Sequence, residues 1–191
     1  MNTNSFEADI EHSLMVLKKG GIILYPTDTI WGVGCDAIND QAVEKIIALK
    51  ERPASKSFVV LVTEEKDIMQ YIATLDLSVF DYLKSTSKPT TVIYQNAVGL
   101  APNVLADDGS VAIRICHEPF CRHLIKRLGK PIVSTSANLS GQPSPQIFAE
   151  INGSIMDGVD YTVKHRRDDI AKASPSSIIK WKNGKPIIIR E

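Results

Sequence analysis

Hydrophobic positions recur along the chain with two different periods, and these periods predict interleaved helices and strands. Apolar residues at helical spacing, together with cap and first-turn residues, predict helices over residues 5–19, 40–50, 78–84, 120–128 and 144–151. Short apolar runs predict strands over residues 22–25, 30–35, 58–62, 90–94, 111–116, 132–133, 178–181 and 187–189. Alternation of helices and strands is typical of an α/β-like architecture, which is α+β in the strict sense if the sheet is mixed.

Residues that start or stop helices support several of these boundaries. Asp40 and Thr63 are predicted N-caps, the second for a short helix with an acidic first turn. Pro119 suits the first turn of a helix, and Gly129 follows the last turn of the same helix. The Asn183-Gly184 pair favours a tight hairpin between the last two strands, so the sheet is predicted to be mixed.

Composition limits the class of protein. With 191 residues, 43% of them hydrophobic, the chain is predicted to form a single domain, residues 1–191. No apolar run approaches the roughly 20 residues that cross a bilayer, and the polar, acidic N-terminus is unlike a secretory signal. Cys35, Cys116 and Cys121 are an odd set without CxxC spacing, which indicates neither a disulfide framework nor a zinc site. We therefore expect a cytoplasmic protein without a membrane span.

Charge is balanced along the whole chain. Lysine and arginine number 22, and aspartate and glutamate also number 22. A dedicated nucleic-acid-binding protein usually has an excess of basic residues. Any basic surface in this protein is therefore predicted to be local.

Polar groups concentrate beside the apolar strands in four stretches of the chain. These stretches are YPTDT at 25–29, LKERPASKS at 49–57, SVAIR at 110–114 and STSANLSGQPS at 134–144. In α/β proteins ligands commonly bind beyond the strand ends, where loops converge. The four stretches are therefore the candidate site.

The second stretch places three cations, Lys50, Arg52 and Lys56, within seven residues. Arginine offers phosphate a planar fork and lysine a mobile point charge, so the cluster could bind a triphosphate or a carboxylate. Cations at the end of a helix also complement its dipole and cap its carbonyl groups. The residues alone leave both interpretations open.

The fourth stretch is rich in short hydroxyl side chains and contains Asn138, directly after a buried strand. Such groups suit phosphate oxygens or a small polar ligand, although they also close turns and cap helices. Arg114 lies within an apolar strand, where its charge needs either an anionic partner or an open strand edge. Neither a Walker loop nor a Rossmann fingerprint is present, so these stretches favour an anion site without naming a reaction.

The remaining chemically active residues have simpler interpretations. The three cysteines are predicted to be buried and structural. His117 and His123 are predicted surface or cap residues, and the four histidines of the chain show no metal-ligand spacing. The charged stretch at 165–169, HRRDD, is predicted to be a solvated, charge-balanced loop.

The ordered set of four stretches resembles the YrdC/YciO family, from about residue 17 to the C-terminus and in its short, single-domain form. The resemblance implies an open, twisted mixed sheet flanked by helices, with a concave ligand groove. It implies the activity of an L-threonylcarbamoyl-adenylate synthase, a nucleotidyltransferase of tRNA modification. That reaction joins L-threonine, bicarbonate and ATP, with Mg²⁺ bound to the ATP, and releases pyrophosphate. A transferase complex then moves the threonylcarbamoyl group to tRNA.

The same resemblance implies a role for each matching residue. The implied threonine contacts are Thr29, Arg114, Ser134 and Ser176. The implied catalytic cations, which hold phosphate, are Lys50, Arg52 and Lys56. The implied ATP contacts are Arg52, Lys56, Ser110, Ser136, Asn138, Ser144 and Arg190. Leu61 departs from the family pattern, because some members carry histidine there, and this difference affects the threonine pocket.

Two alternatives accompany the synthase hypothesis. A YciO-like protein would bind nucleotide or double-stranded RNA without synthase activity, and weak binding of tRNA is compatible with either hypothesis. Balanced charge argues against strong, salt-sensitive RNA binding. Carbamoyl-adenylate relatives from hydrogenase maturation are a poorer match, because they carry acyl-phosphatase and zinc-finger regions that this sequence does not contain.

Overall fold

The computed structural model describes residues 6–51 and 58–191. Its strands are β1 (Ile23–Tyr25), β2 (Gly32–Gly34), β3 (Val59–Val62), β4 (Thr90–Tyr94), β5 (Val111–Ile115), β6 (Ile132–Ser136), β7 (Tyr161–Thr162), β8 (Ser177–Lys182) and β9 (Lys185–Arg190). Its helices are α1 (Glu7–Lys18), α2 (Asp40–Lys50), α3 (Glu65–Ile68), α4 (Ser78–Ser85), α5 (Pro119–Leu128) and α6 (Gly153–Asp157). Two 3₁₀ turns lie at Pro102–Val104 and Phe148–Glu150.

The described strands form one open, mixed sheet in the order β7-β1-β2-β6-β3-β5-β4-β8-β9. The pairs β1·β7, β3·β5 and β4·β8 are parallel, and the other neighbouring strands are antiparallel. The β8–β9 hairpin turns through Asn183 and Gly184, which both have positive φ angles of 52° and 70°. The predicted mixed sheet and the predicted final hairpin are therefore confirmed.

Helices cover both faces of the sheet, because alternate residues of the buried strands point in opposite directions. Val60 and Val62 of β3 join an apolar cluster with α2, α3 and α4. Leu61, between them, joins a second cluster with α1 and α5. Each layer of helices thus buries one face of the sheet, and the two apolar clusters hold the central strands in place.

Two helix caps differ from the sequence prediction by one residue. Helix α2 is capped by Asn39, not by Asp40, because the Asn39 side chain accepts a hydrogen bond of 3.1 Å from a backbone N–H of the first turn. Helix α3 is capped by Glu64, not by Thr63, and Asp67 completes a capping box with it. Asn39 and Glu64 both have the extended backbone that an N-cap requires.

The helix predicted over residues 144–151 is wrong, because only the short 3₁₀ turn Phe148–Glu150 forms there. Ile147 has extended backbone, with φ −133° and ψ 163°, so a helix cannot continue through it, and the N–H of Gln146 donates to the Glu150 carboxylate at 2.7 Å. The first real helix of this region is α6, which begins after the Asn152 cap. The short strand β7 was also missed, since two residues carry no detectable period.

Strand β6 extends further than its apolar residues predict. It continues beyond Val133 to Ser136 and pairs with both β2 and β3. Gly34 of β2 is required there, because an added Cβ would overlap the carbonyl oxygen of Val133 and approach Tyr25 Cε1 to 2.6 Å. Pairing with β2 therefore keeps the hydroxyl-bearing residues 134–136 within a regular strand of the sheet.

The predicted burial of the cysteines and the predicted surface position of two histidines are confirmed. Cys35, Cys116 and Cys121 are free and buried, as predicted. His117 and His123 are both exposed. Among the residues that the structure describes, no helix is both long and apolar enough to cross a membrane.

Candidate functional site

A groove of about 240 Å³ lies where the loop after β1 meets strands β5, β6 and β8. All four predicted threonine contacts line it, namely Thr29, Arg114, Ser134 and Ser176. Three predicted ATP contacts, Ser136, Ser144 and Arg190, line it as well. Tertiary structure thus brings together residues from three of the four polar stretches and from the C-terminal hairpin.

The loop after β1 is shaped by the hydroxyl group of Thr27. This hydroxyl donates to the carbonyl oxygen of Ile30 at 2.8 Å and accepts from the backbone N–H of Thr29 at 3.0 Å. The Thr27 and Thr29 hydroxyl oxygens are 3.0 Å apart, and Thr27 is only 2% exposed. Thr27 therefore closes the turn from inside, and Thr29 is held at the groove wall.

Arg114 has the anionic partner that its position in a buried strand requires. The side chain is 5% exposed, and its Nη2 lies 3.0 Å from Oδ1 of Asp28, which is 11% exposed. Asp28 is itself held by the backbone N–H of His117, which donates to Oδ2 at 3.2 Å. Within the described residues, Nε of Arg114 has no hydrogen-bond partner. A buried donor at the groove wall is a favourable contact for an anionic ligand.

A second guanidinium, that of Arg190, also lines the groove. Arg190 donates to the carbonyl oxygen of Ser176 through Nη2 at 2.8 Å and through Nε at 3.3 Å. The Ser176 hydroxyl lies 2.8 Å from that of Thr91. Burial, and to a lesser extent the charge of Arg114, lower the pKa of Arg190. Two guanidinium groups in one groove therefore favour a ligand with negative charge.

Lys50, at the end of α2, points inward. It is 1% exposed, and its ammonium donates to the carbonyl oxygens of Ser136 and Asn138. The carbonyl oxygen of Lys50 also accepts from the N–H of Ser140 at 3.0 Å. Lys50 therefore holds the loop that follows β6, and its predicted contact with phosphate stays a prediction.

The other predicted ATP contacts are placed differently. Asn138 donates from Nδ2 to the carbonyl oxygens of Leu139 and Gln142, both at 2.8 Å, and so closes the loop after β6. Ser110 precedes β5, is 6% exposed, and is not among the residues that line the groove. Arg52 and Lys56 lie outside the described residues, so their predicted roles stay predictions.

Sequence reasoning missed three features of the site. Asp28 is the partner of the buried arginine on β5, and a carboxylate in the YPTDT stretch was the available signal. Trp31 lines the groove and packs on Phe148, with ring centroids 4.8 Å apart. The segment 165–169 is not the simple solvated loop that was predicted, because one of its side chains binds the Thr27 carbonyl oxygen.

The groove suits a magnesium ion only together with an anionic ligand. No group of three or more His, Cys, Asp or Glu side chains within the described residues could hold a metal ion. Arg114 and Arg190 would repel a bare cation, whereas phosphate oxygens attract one. A predicted Mg²⁺ would therefore enter bound to a phosphate-bearing substrate.

Comparison with known proteins identifies close sequence relatives over most of the chain. The Sua5/YciO/YrdC family model, described as "Telomere recombination", matches residues 15–191. A protein of Pseudoalteromonas translucida (strain TAC 125) named threonylcarbamoyl-AMP synthase is 30% identical over 184 residues, or 95% of this chain and 97% of the relative. A protein of Idiomarina loihiensis with the same name is 33% identical over 165 residues, covering 84% of this chain and 87% of the relative.

Solved structures share the fold. Sua5 of P. abyssi, complexed with L-threonine, has a TM-score of 0.85 at 20% identity over 96% of this chain. The present chain spans only 54% of that Sua5 chain. YciO of E. coli has a TM-score of 0.83 at 24% identity, with 96% of this chain and 89% of the other covered. The predicted fold and the predicted resemblance are confirmed, and the chain belongs to the Sua5/YciO/YrdC family.

Proposed function

We propose that the protein is an L-threonylcarbamoyl-adenylate synthase, which makes threonylcarbamoyl-AMP and pyrophosphate from L-threonine, bicarbonate and ATP. The observation that carries this proposal is a single groove lined by two guanidinium groups and three hydroxyl groups, those of Arg114, Arg190, Thr29, Ser134 and Ser176. Curated relatives of nearly the same length bear the name of this activity.

The threonine subsite is the part of the groove around the buried arginine. Arg114 offers its guanidinium to the carboxylate of L-threonine, and Nε is the donor that lacks a partner within the described residues. The hydroxyl groups of Thr29, Ser134 and Ser176 border the same space and suit the amine and hydroxyl of the substrate. The Sua5 structure determined with L-threonine supports this ligand through its shared fold.

The ATP subsite is the part of the groove around the loop after β6. Ser136, Ser144 and Arg190 line it and suit the polar groups of the nucleotide. Lys50 orients the loop after β6 through its hydrogen bonds to the carbonyl oxygens of Ser136 and Asn138. Arg52 and Lys56 follow α2 in sequence and are proposed to bind the phosphates, with Mg²⁺ accompanying them.

The proposed chemistry needs no side-chain nucleophile. The neutral amine of threonine attacks the carbon of bicarbonate, water departs, and a carbamate forms. A carbamate oxygen then attacks the α-phosphorus of ATP, and the bond to the pyrophosphate oxygen breaks. Such a displacement depends chiefly on the alignment of the reactants and on stabilisation of the phosphate charge. Arg52 and Lys56 are the proposed source of that stabilisation.

A transferase complex is the proposed consumer of the product, because an acyl-adenylate-like group is activated for transfer to tRNA. The alternative, a YciO-like nucleotide- or RNA-binding protein, has the fold of E. coli YciO in its favour. That likeness is at 24% identity and concerns the fold alone. The balanced charge of 22 basic and 22 acidic residues argues against strong RNA binding, although weak binding of tRNA is compatible with it.

Release of pyrophosphate from ATP, Mg²⁺ and bicarbonate, with and without L-threonine, tests the proposal. We expect release that depends on threonine, and we expect Arg52→Ala to lower turnover by about 100-fold or more. Arg127→Ala is the control, because Arg127 pairs with Glu7 and Glu11 on the surface between α1 and α5. Protein that binds ATP but releases no pyrophosphate in response to threonine would contradict the synthase proposal and favour the YciO-like alternative.

A further inference from the structure

The segment 165–169 contacts the loop that carries Thr29, although the proposed reaction uses none of its residues. It follows β7, which pairs with β1 at one end of the sheet, and the N–H of Val163 donates to the carbonyl oxygen of Leu24 at 2.9 Å. The chain therefore returns beside the strand that leads into the threonine subsite. The pairing of β7 with β1 therefore places the charged segment next to the loop that follows β1.

The start of the segment is held by a buried carboxylate on helix α1. Asp9 is 5% exposed and accepts from the N–H groups of Lys164 at 3.1 Å and His165 at 2.8 Å. The Tyr161 hydroxyl donates to the same carboxylate at 2.5 Å. These three donors to the buried carboxylate of Asp9 fix the backbone of residues 164 and 165.

Arg166 is oriented toward the loop by two carboxylates. Its Nε donates to Asp169 at 2.7 Å, and its Nη1 lies 3.9 Å from Oε1 of Glu118, whose side chain is 4% exposed. Arg166 has a φ angle of 65°, a left-handed conformation that non-glycine residues rarely adopt. A side chain held by two charges on a strained backbone is commonly maintained for the contact that it makes.

The contact that Arg166 makes is with the threonine loop. Its Nη1 donates to the carbonyl oxygen of Thr27 at 3.0 Å. The hydroxyl of Thr27 fixes Thr29 and Ile30, and the next residue, Asp28, pairs with Arg114. This hydrogen bond thus links the segment 165–169, through Thr27 and Asp28, to Thr29 and Arg114 of the proposed threonine subsite.

A neighbouring arginine supports the same wall of the groove. Arg167 lies over the Phe148 ring, with Cζ 5.1 Å from the ring centroid, and Phe148 packs on Trp31. The guanidinium of Arg167 also donates to the carbonyl oxygen of Val163 at 2.8 Å. The two adjacent arginines therefore contact Thr27 and Phe148, each of which contacts a residue that lines the groove.

From these contacts we infer that Arg166 is a positioning residue of the threonine subsite and acts through the Thr27 carbonyl group. Arg166 is not among the residues that line the groove. Because it contacts the loop that carries Thr29, we expect it to affect the binding of threonine and not that of ATP. The inference rests on the proposed function for its substrate, but the effect on the loop itself does not depend on that function.

Arg166→Gly is the informative substitution, because glycine adopts a φ of 65° without strain. The variant removes the guanidinium while it preserves the backbone. Arg166→Lys keeps one donor that can reach the same carbonyl group. Arg127→Ala is the matched control, since Arg127 is 39% exposed against 35% for Arg166 and also pairs with two carboxylates.

Two measurements are made on each full-length variant. In the pyrophosphate assay we expect Arg166→Gly to raise the KM for threonine on the order of tenfold, with the KM for ATP unchanged. Arg166→Lys should recover part of this loss. In hydrogen–deuterium exchange without substrate, the amides of residues 27–30 should exchange faster in Arg166→Gly than in the wild type and in Arg127→Ala.

The outcomes separate the two proposals. An unchanged KM for threonine, or equal changes in the KM for both substrates, would overturn the positioning role, as would unaltered exchange of residues 27–30. A lower kcat with both KM values unchanged indicates a purely structural role and also overturns it. If the wild-type protein shows no threonine-dependent release, the synthase proposal fails, and the exchange experiment still decides whether Arg166 holds the loop.

Discussion

Replacement of Arg114 by glutamine should separate the stabilising role of this residue from its binding role. Arg114→Gln removes a buried charge and leaves the carboxylate of Asp28, which is 11% exposed, without its cation. The double variant Arg114→Gln/Asp28→Asn removes both charges, and the shortening of the side chain at position 114 is the same in both variants. The two variants therefore have the same loss of an anion-binding group but different amounts of uncompensated charge.

The size of the effect follows from the geometry of the pair. Two unit charges 3.0 Å apart attract by about 5.5 kcal/mol at an effective dielectric constant of about 20. Desolvation offsets part of this attraction, and removal of one partner from a buried pair costs about 3–5 kcal/mol. We take the lower limit of about 3 kcal/mol, because the aspartate is partly exposed. For a domain of this size the loss corresponds to a decrease in Tm of about 6–12 °C.

The same substitution should weaken threonine binding by a different amount. A hydrogen bond to a charged group contributes about 1.5–3 kcal/mol, which corresponds to an increase in the threonine KM of about 10- to 150-fold. Thermal unfolding and the threonine dependence of pyrophosphate release measure the two effects separately. We expect the double variant to recover more than half of the lost stability and none of the lost threonine affinity.

Two results would refute this reasoning. If the single and double variants unfold at the same temperature, the charge on Asp28 is not held by Arg114. If Arg114→Gln binds threonine with wild-type affinity, the guanidinium is not the carboxylate contact. The KM for ATP serves as the internal control, because the proposed nucleotide contacts Ser136 and Ser144 are not altered.

Two further predictions concern stability. Gly34→Ala should destabilise the protein by about 1–3 kcal/mol in urea denaturation, because its Cβ would overlap the Val133 carbonyl oxygen. Gly153→Ala is its control, since no atom lies within 4 Å of the added carbon, and it should be neutral or stabilising. Hydrogen bonds from Lys126 and Lys66 lower the pKa of Glu64 from 4.5 to about 2. The contribution of Glu64 to stability is thus present above pH 4.5 and is lost as the pH falls toward 2. In Glu64→Gln we therefore expect the free energy of unfolding to fall less between pH 4.5 and 2 than in the wild type. An equal fall in both proteins would contradict the ion pairs of Glu64 with the two lysines.

Local features of the sequence determined most of the secondary structure. Helix α5 begins at Pro119 and is followed by Gly129, which has a φ of 70°, because these residues act within one turn of chain. The same is true of the Asn183-Gly184 hairpin. Residues 144–151 were predicted wrongly by the same reasoning, because Ile147 has extended backbone and interrupts the helix.

The polar stretches beside the apolar strands determined where the site would be found. Thr29, Arg114 and Ser134 were predicted from stretches far apart in the chain, and the sheet brings them to one groove. Such stretches are visible in the sequence because hydroxyl and charged side chains interrupt runs that would otherwise be buried.

Only the tertiary structure decided which polar groups line the groove and which hold the loops. Lys50 turns inward to two carbonyl groups, and Arg166 reaches the loop of Thr27, 139 residues away in the chain. Asp28 is the partner of Arg114 because the fold places the loop after β1 beside strand β5. The sequence by itself determines local backbone preference and the apolar pattern, whereas contacts between distant residues depend on strand order, which no local pattern encodes.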